Sequence, residues 1–450
     1  MRLFYVIFIL TSSAYANSLD LNKFISLSLK NDPSFANVEA SNKALEYLVD
    51  SGLPSREFTL SFVNENGYNA DTDENTTLIS ALLEKSIIET GTDFSISHSR
   101  VTRPDRRENV TQIRLEQSLY KNAFGSDLRL KKSSLLNQES LERLELLESK
   151  EDAFAETLKS YLALSKAFRD YALAKSLYED GLKLEKNVAS KVRAKVASST
   201  DLKRAQLLVL LRKEELLSKK TAYFSLKGQI QKNLSYEFEN FAEQDSKVLV
   251  RKLMSISKKI EEPVWEKTRA SKIAKLRKQF LKKQAKLLDA VDSPDLSFVV
   301  GYNKDDSSRF STNIERSETV VGIKLEVPIG NTQAAANYHT GRINHIKSQI
   351  QARQEALSFE KRKMDVFHSL EQARNQMKVD ENKVNLTSSI VKEEERRFSF
   401  GRIDLDTLIE LKSSFASYRT ELEQSRLNFG VVLIDWLNMA DSLNIDEFKM

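Results

Sequence analysis

The side chains that could do chemistry are few and scattered. The chain has four histidines and no cysteine. His98, His339, His345 and His368 do not fall into the H-E-x-x-H spacing that turns two imidazoles toward one zinc ion. Without cysteine there is no thiolate nucleophile, no disulfide and no anchor for a lipid at a mature N-terminus. No G-x-S-x-G elbow, phosphate-binding G-K-[ST] loop or G-x-G-x-x-G turn occurs. Asp201, Asp404, Asp406 and Glu410 stand at the starts of helical runs, where the dipole stabilises an acid without further purpose. The lysines between Lys252 and Lys286 read as a solvated helix face. Catalysis, metal binding and cofactor binding are therefore not expected.

The elements that carry these residues are more informative. Leu370, Met377, Val384, Val391 and Phe398 recur every seven residues, the mark of a supercoiled helix seam. They lie in a proline-free stretch, 331–400, which as one helix would reach about 105 Å. A short alternating strand precedes it. The same strand-then-helix unit occurs earlier: Ile113-Arg114-Leu115-Glu116 reads against Ile323-Lys324-Leu325-Glu326. There Leu147, Phe154, Tyr161 and Phe168, and also Leu164, Tyr171 and Tyr178, recur at seven. An internal duplication outranks local readings. All six prolines lie in or beside expected breaks.

Residues 1–16 have the parts of a secretory signal: Arg2, an apolar run over 3–10, and a small-x-small site at Ala14-Tyr15-Ala16. Two repeats follow. The first, 17–235, holds strands near 57–63 and 110–119, a long helix near 122–194, a turn at 195–202 and a return helix to about 230. A linker, 236–265, separates it from the second repeat, 266–450. That repeat has a lysine-rich helix, strands near 296–302 and 320–329, the helix 331–400, a turn at 401–408 and a return helix to about 439. Residues 64–75, 100–108 and 305–311 read as polar loops. Residues 78–88 read either as a short helix or as a strand pairing with 92–99 across Thr90-Gly91.

The expected hairpins pair 57–63 with 110–119 and 296–302 with 320–329. Their alternation suits a barrel strand, apolar toward lipid and polar inward. Four strands cannot close a barrel, and an open edge in lipid leaves backbone groups unpaired at several kcal/mol each. Several copies must then share one barrel above a common helical tube. The competing expectation is a soluble α+β protein whose strands cover a helical bundle. The charge, 69 Lys+Arg against 64 Asp+Glu, is nearly balanced and gives no reason to expect nucleic acid.

Several segments resemble the TolC family of outer-membrane efflux and secretion channels. The opening Leu21-Asn22-Lys23-Phe24-Ile25-Ser26-Leu27-Ser28-Leu29-Lys30-Asn31-Asp32-Pro33 is similar to its N-terminal signature. Gln117-Ser118-Leu119-Tyr120-Lys121-Asn122-Ala123-Phe124-Gly125 resembles its strand-to-helix junction, with Ser118 in place of proline. Val196-Ala197-Ser198-Ser199-Thr200-Asp201-Leu202 and Arg397-Phe398-Ser399-Phe400-Gly401-Arg402-Ile403 resemble its two tips. Lys195 stands where the family has glycine, Asp404 where it has Ser or Thr, and Thr407 where it often has an acid. The resemblance implies a homotrimer in the outer membrane, four strands per chain in a 12-stranded β-barrel continuous with a periplasmic α-helical barrel. It implies no enzyme activity and no cofactor. Its partners would be a periplasmic adaptor and an inner-membrane pump. Adaptor contact falls to Ser198, Thr200, Asp201, Gly401, Arg402 and Asp404, and a periplasmic constriction to Glu410. The alternative is a periplasmic scaffold or pump adaptor without a pore.

Overall fold

A computed structural model describes residues 18–54, 57–69, 74–241, 245–259, 261–290, 293–309, 312–330 and 332–448. The expected signal, 1–16, lies outside them. In chain order the elements are β1 (Ser18–Leu19), α1 (Leu21–Asn31), α2 (Pro33–Leu45), α3 (Leu48–Gly52), β2 (Thr59–Asn69), β3 (Glu74–Ile87), β4 (Thr92–Thr102) and β5 (Arg106–Ser118). Then come α4 (Ser126–Arg193), α5 (Ser199–Leu234), β6 (Asn240–Phe241), α6 (Asp245–Ser257), α7 (Arg269–Asp289), β7 (Asp295–Arg309), β8 (Thr312–Glu326), α8 (Thr332–Ser399) and α9 (Leu405–Met439). The protein is mainly α with one large antiparallel sheet. No described helix is long and apolar enough to cross a membrane.

The chain divides into two compact units. One comprises Met1–Glu39, Leu147–Thr268 and Ser358–Met450. Its core is where the seven-residue series meet. Phe154, Tyr161 and Leu164 of α4 are fully buried, with Phe429, Leu433 and Leu437 of α9 close to it. Tyr161 meets Phe24 edge-on at 5.2 Å and tilts against Phe241 at the same distance. Phe241 is held there because β6 pairs in parallel with β1, a contact the sequence did not suggest. Leu147 departs from its series: it is 51% exposed, so the seam begins at Phe154. On α8, Leu370 and Met377 pack against this core, while Val391 and Phe398 are buried further along. The linker 236–265 contains the amphipathic helix α6, whose Leu249 and Leu253 are fully buried.

The second unit, Ala40–Leu146 and Arg269–Leu357, holds the sheet, in the order β2-β3-β4-β5-β7-β8. The pairing of 296–301 with 320–325 is as expected. The pairing of 57–63 with 110–119 is not. β2 pairs with β3, and β5 lies between β4 and β7. Residues 78–99 supply two full strands across Thr90-Gly91, so the sheet has six strands rather than four. The strands also run further than expected. Residues 64–69, 100–102, 106–108 and 305–309 are strand, not loop, while 327–329 are not strand. Their polar composition imitates a loop, while ladder pairing keeps them strand.

Neighbouring rows of the sheet have opposite character. Leu60, Leu83, Ile96, Ile113, Tyr302 and Thr319 lie side by side across the six strands. The next row, on the other face, is Ser61, Leu82, Ser97, Gln112, Asn303 and Glu318. One face is thus an apolar belt and the other largely polar. No described element covers the belt at its ends: Leu60 and Phe62 are 70% and 68% exposed, and Ile323 and Leu325 71% and 63%. The expectation of strands laid over a helical bundle is therefore wrong. The sheet is bare because its strands are joined to helices end-on.

That end-on junction explains the Asn122-Ala123-Phe124-Gly125 motif. Gly91, in the β3–β4 turn, has φ +64°, and Gly125, before α4, has φ +79°. A Cβ on Gly125 would sit 2.5 Å from the Ile88 carbonyl oxygen, and one on Gly91 2.5 Å from the Gly125 nitrogen. Asn122 Oδ1 accepts from the Asp127 amide at 3.0 Å and caps α4. Arg129 donates to the Glu89 carbonyl at 2.7 Å and also to that of Phe124. Gly125→Ala adds a backbone clash to left-handed strain of about 1–3 kcal/mol and is expected to lower the unfolding temperature followed by circular dichroism. Gly228→Ala, in open space within α5, is expected to raise stability by about 0.5–1 kcal/mol.

Candidate functional site

The two tips repeat one design. α4 and α8 each end on a left-handed residue, Lys195 at φ 61° and Gly401 at φ 70°. In the first, the Lys195 amide donates to Val192 at 3.0 Å and the Val196 amide to Lys191 at 2.9 Å. In the second, Gly401 donates to Phe398 at 3.0 Å and Arg402 to Arg397 at 2.9 Å. These are paired Schellman closures. Lys195 adopts a left-handed backbone at a conformational cost that glycine avoids.

Each returning helix is then capped by an acid and a hydroxyl, in opposite order. Ser198 caps α5: its Oγ accepts from the Asp201 amide at 3.1 Å, while Asp201 Oδ2 accepts from the Ser198 amide at 2.9 Å. Asp404 caps α9, accepting from the Thr407 amide at 2.8 Å. The two departures at Asp404 and Thr407 are thus one exchange that preserves the cap. The Ser198 backbone and hydroxyl donors hold the Asp201 carboxyl below its ordinary range. The Thr407 amide, aided by its hydroxyl, does the same for Asp404.

The tips also meet each other. Leu184, Val188, Ala205 and Leu208 form a buried cluster with Phe398, Leu405 and Leu408. Lys191 Nζ donates to the Phe398 carbonyl at 2.7 Å and lies 3.9 Å from the centre of its ring. Arg204 pairs with Asp406 at 2.6 Å and approaches Asp201 at 3.9 Å. Arg204, Lys191 and Asp406 were not singled out as contacts between the tips. The signal available was Arg204 one helical turn after Asp201. The surface left over is mixed: Ser198, Thr200, Gly401, Arg402 and Asp404 are exposed, as are Val196 and Phe400 at 73% and 71%. Arg402 lies over the Phe400 ring at 5.9 Å. Glu410 is exposed on α9, beyond the cap. Lys272, Lys275, Lys278, Lys282 and Lys286 of α7 are exposed too. Among the described residues no group of His, Asp and Glu is placed to hold a metal ion.

No sequence-family profile and no curated relative matches the chain. Solved structures do. The outer membrane protein VceC of Vibrio cholerae is 11% identical, with a TM-score of 0.66 over 93% of this chain and 96% of its own. The chain has the fold of outer-membrane channels. The MtrE outer membrane channel of Neisseria gonorrhoeae, also 11% identical, shares that channel fold with a TM-score of 0.68 over 95% of this chain and 90% of its own. For the CmeC outer membrane channel of Campylobacter jejuni the figures are 12%, 0.63, 95% and 88%.

Both capping carboxyls have depressed folded pKa values, so their stabilisation is complete above the ordinary carboxylate range and is lost as pH falls through the folded values. Hydrogen exchange of 196–205 and 402–410 is expected to stay slow at neutral pH and to quicken, relative to intrinsic rates, in strong acid. Ser198→Ala is expected to loosen the first tip at all pH values, at about 1 kcal/mol.

Proposed function

We propose that the protein is the outer-membrane exit duct of a tripartite efflux pump or a type I secretion system. One observation carries the reading: a six-stranded sheet with an apolar belt on one face, a polar opposite face and no helix covering either. In water that belt is a large unsatisfied apolar surface, worth about 25 cal/mol per Å² if removed from solvent. Hydrocarbon covers it without any protein partner. The polar face then lines a water-filled passage.

In this reading residues 1–16 direct export, and three copies pool their sheets. The helices extend into the periplasm, and the tips meet a periplasmic adaptor coupled to an inner-membrane pump. Ser198, Thr200, Asp201, Gly401, Arg402 and Asp404 supply polar contact there, and Val196 and Phe400 apolar contact. The chain performs no catalysis: cargo moves passively through a duct whose energy comes from the pump. Glu410 from each copy places carboxylates around the narrow end, which favours cations.

Fractionation tests the reading. Carbonate-resistant retention in the outer membrane as a heat-labile trimer is expected, and release as a soluble periplasmic monomer would sink it. In planar bilayers Glu410→Ala is expected to weaken cation preference and change conductance. Unaltered conductance and selectivity would remove Glu410 from the constriction.

A further inference from the structure

We propose that the barrel wall contains all six strands of each copy, the β2–β3 hairpin included, and that its seam pairs β8 of one copy with β2 of the next, Thr59 opposite Glu326. This rests on the membrane reading above and specifies its geometry.

Among the described residues β2 and β8 are each paired on one side only. Six strands fall short of the roughly eight in the smallest closed membrane barrels, so the two edges of one chain cannot meet. Neither can they stay open in lipid. The missing occupant is a second copy, because the two edges fit each other. They run in opposite directions, as every neighbouring pair in the sheet does. β2 enters from the helical end and β8 leaves toward it. The apolar belt reaches both edges, so it becomes continuous around the wall only if β2 stands in it.

Register follows from side chains. With Thr59 opposite Glu326, Leu60 faces Leu325 and Phe62 faces Ile323 on the belt, while Ser61 faces Lys324 on the polar side. Sliding two residues one way sets Glu65 against Glu318, a like-charge pair. Sliding the other way sets Val63 against Lys324 and carries Leu60 past the end of β8.

The same register satisfies barrel closure. The row that starts at Thr59 passes through Glu84, Ser95, Arg114 and Gly301 to Val320. Val320 lies six residues before Glu326, so the row enters the next copy at Glu65, six residues along β2. The shear is then six per six strands. A barrel whose shear equals its strand number tilts its strands by about 36°, within the roughly 35–45° of membrane barrels. Three copies reach the size of porins of about 16–18 strands, which hold an aqueous channel.

The cysteine-free chain makes the test direct. Two double variants, Leu60→Cys with Leu325→Cys and Ser61→Cys with Lys324→Cys, occupy neighbouring pairs, one of which is of the close type. Oxidation in isolated outer membranes is expected to give a covalent ladder of oligomers from at least one of them, lost on reduction. Leu60→Cys with Ile323→Cys is offset and is expected to give none, since its Cβ atoms lie about 7–8 Å apart, beyond the roughly 3.5–4.5 Å of a disulfide. Phe94→Cys with Leu325→Cys reports a wall that excludes the hairpin and joins β8 to β4. A ladder from that pair or from the offset pair overturns the seam, as does no ladder from any pair in a retained oligomer. Retention is read first: a variant set found wholly soluble overturns the duct reading itself.

Discussion

A backbone amide with no partner is tolerable in water and costly in hydrocarbon, and the proposed membrane setting turns on that difference. Among the described residues the sheet has two unpaired edges and no helix laid across either face. In a water-soluble domain each of these would be a defect, an invitation to aggregate. Here they agree with one another: the belt that lacks a helix and the edges that lack a strand call for lipid and for more of the same sheet. α4 attaches to β5 end-on, its start packed on the β3–β4 turn through the Gly91–Gly125 contact, which leaves the belt free for the lipid of the proposed duct.

The helical part obeys a different rule. Its cohesion is ordinary burial, concentrated in Phe154, Tyr161 and Leu164 of α4 and Phe429, Leu433 and Leu437 of α9. At the tips the constraint is again the backbone, since a helix that stops leaves carbonyls and amides to be satisfied. The two tips solve this with the same hydrogen-bond pattern and different residues: lysine or glycine for the left-handed position, Ser-Asp or Asp-Thr for the cap. Duplication has kept the geometry and let the side chains drift.

The sequence was most legible where burial writes a period. The seven-residue series located the long helices, with Leu147, 51% exposed, the misfit. Gly401 marks the end of the second long helix, and the turn expected at 195–202 holds the end of α4 and the start of α5. The sheet was read less well. Asn64 to Asn69 and Asp305 to Arg309 are strand although nearly every residue is polar, because backbone pairing holds them. The pairing of β2 with β3 rather than β5 could not be had from alternation, which is the same for every partner. At the tips the cap residues were visible as types, whereas Arg204 with Asp406 and Lys191 with Phe398 depend on two distant helices arriving together.

The alternating direction of the strands limits how such a wall can vary. A single strand added to or lost from one copy would put two neighbours parallel and, in the proposed duct, carry the next helix to the wrong side of the membrane. Change is therefore possible only by whole hairpins, with parity conserved. The stretch from β2 to β5 shows what that permits: four consecutive antiparallel strands between α3 and α4, where the second half of the chain has two between α7 and α8. In the proposed duct the width of the wall can thus change only by steps of a hairpin.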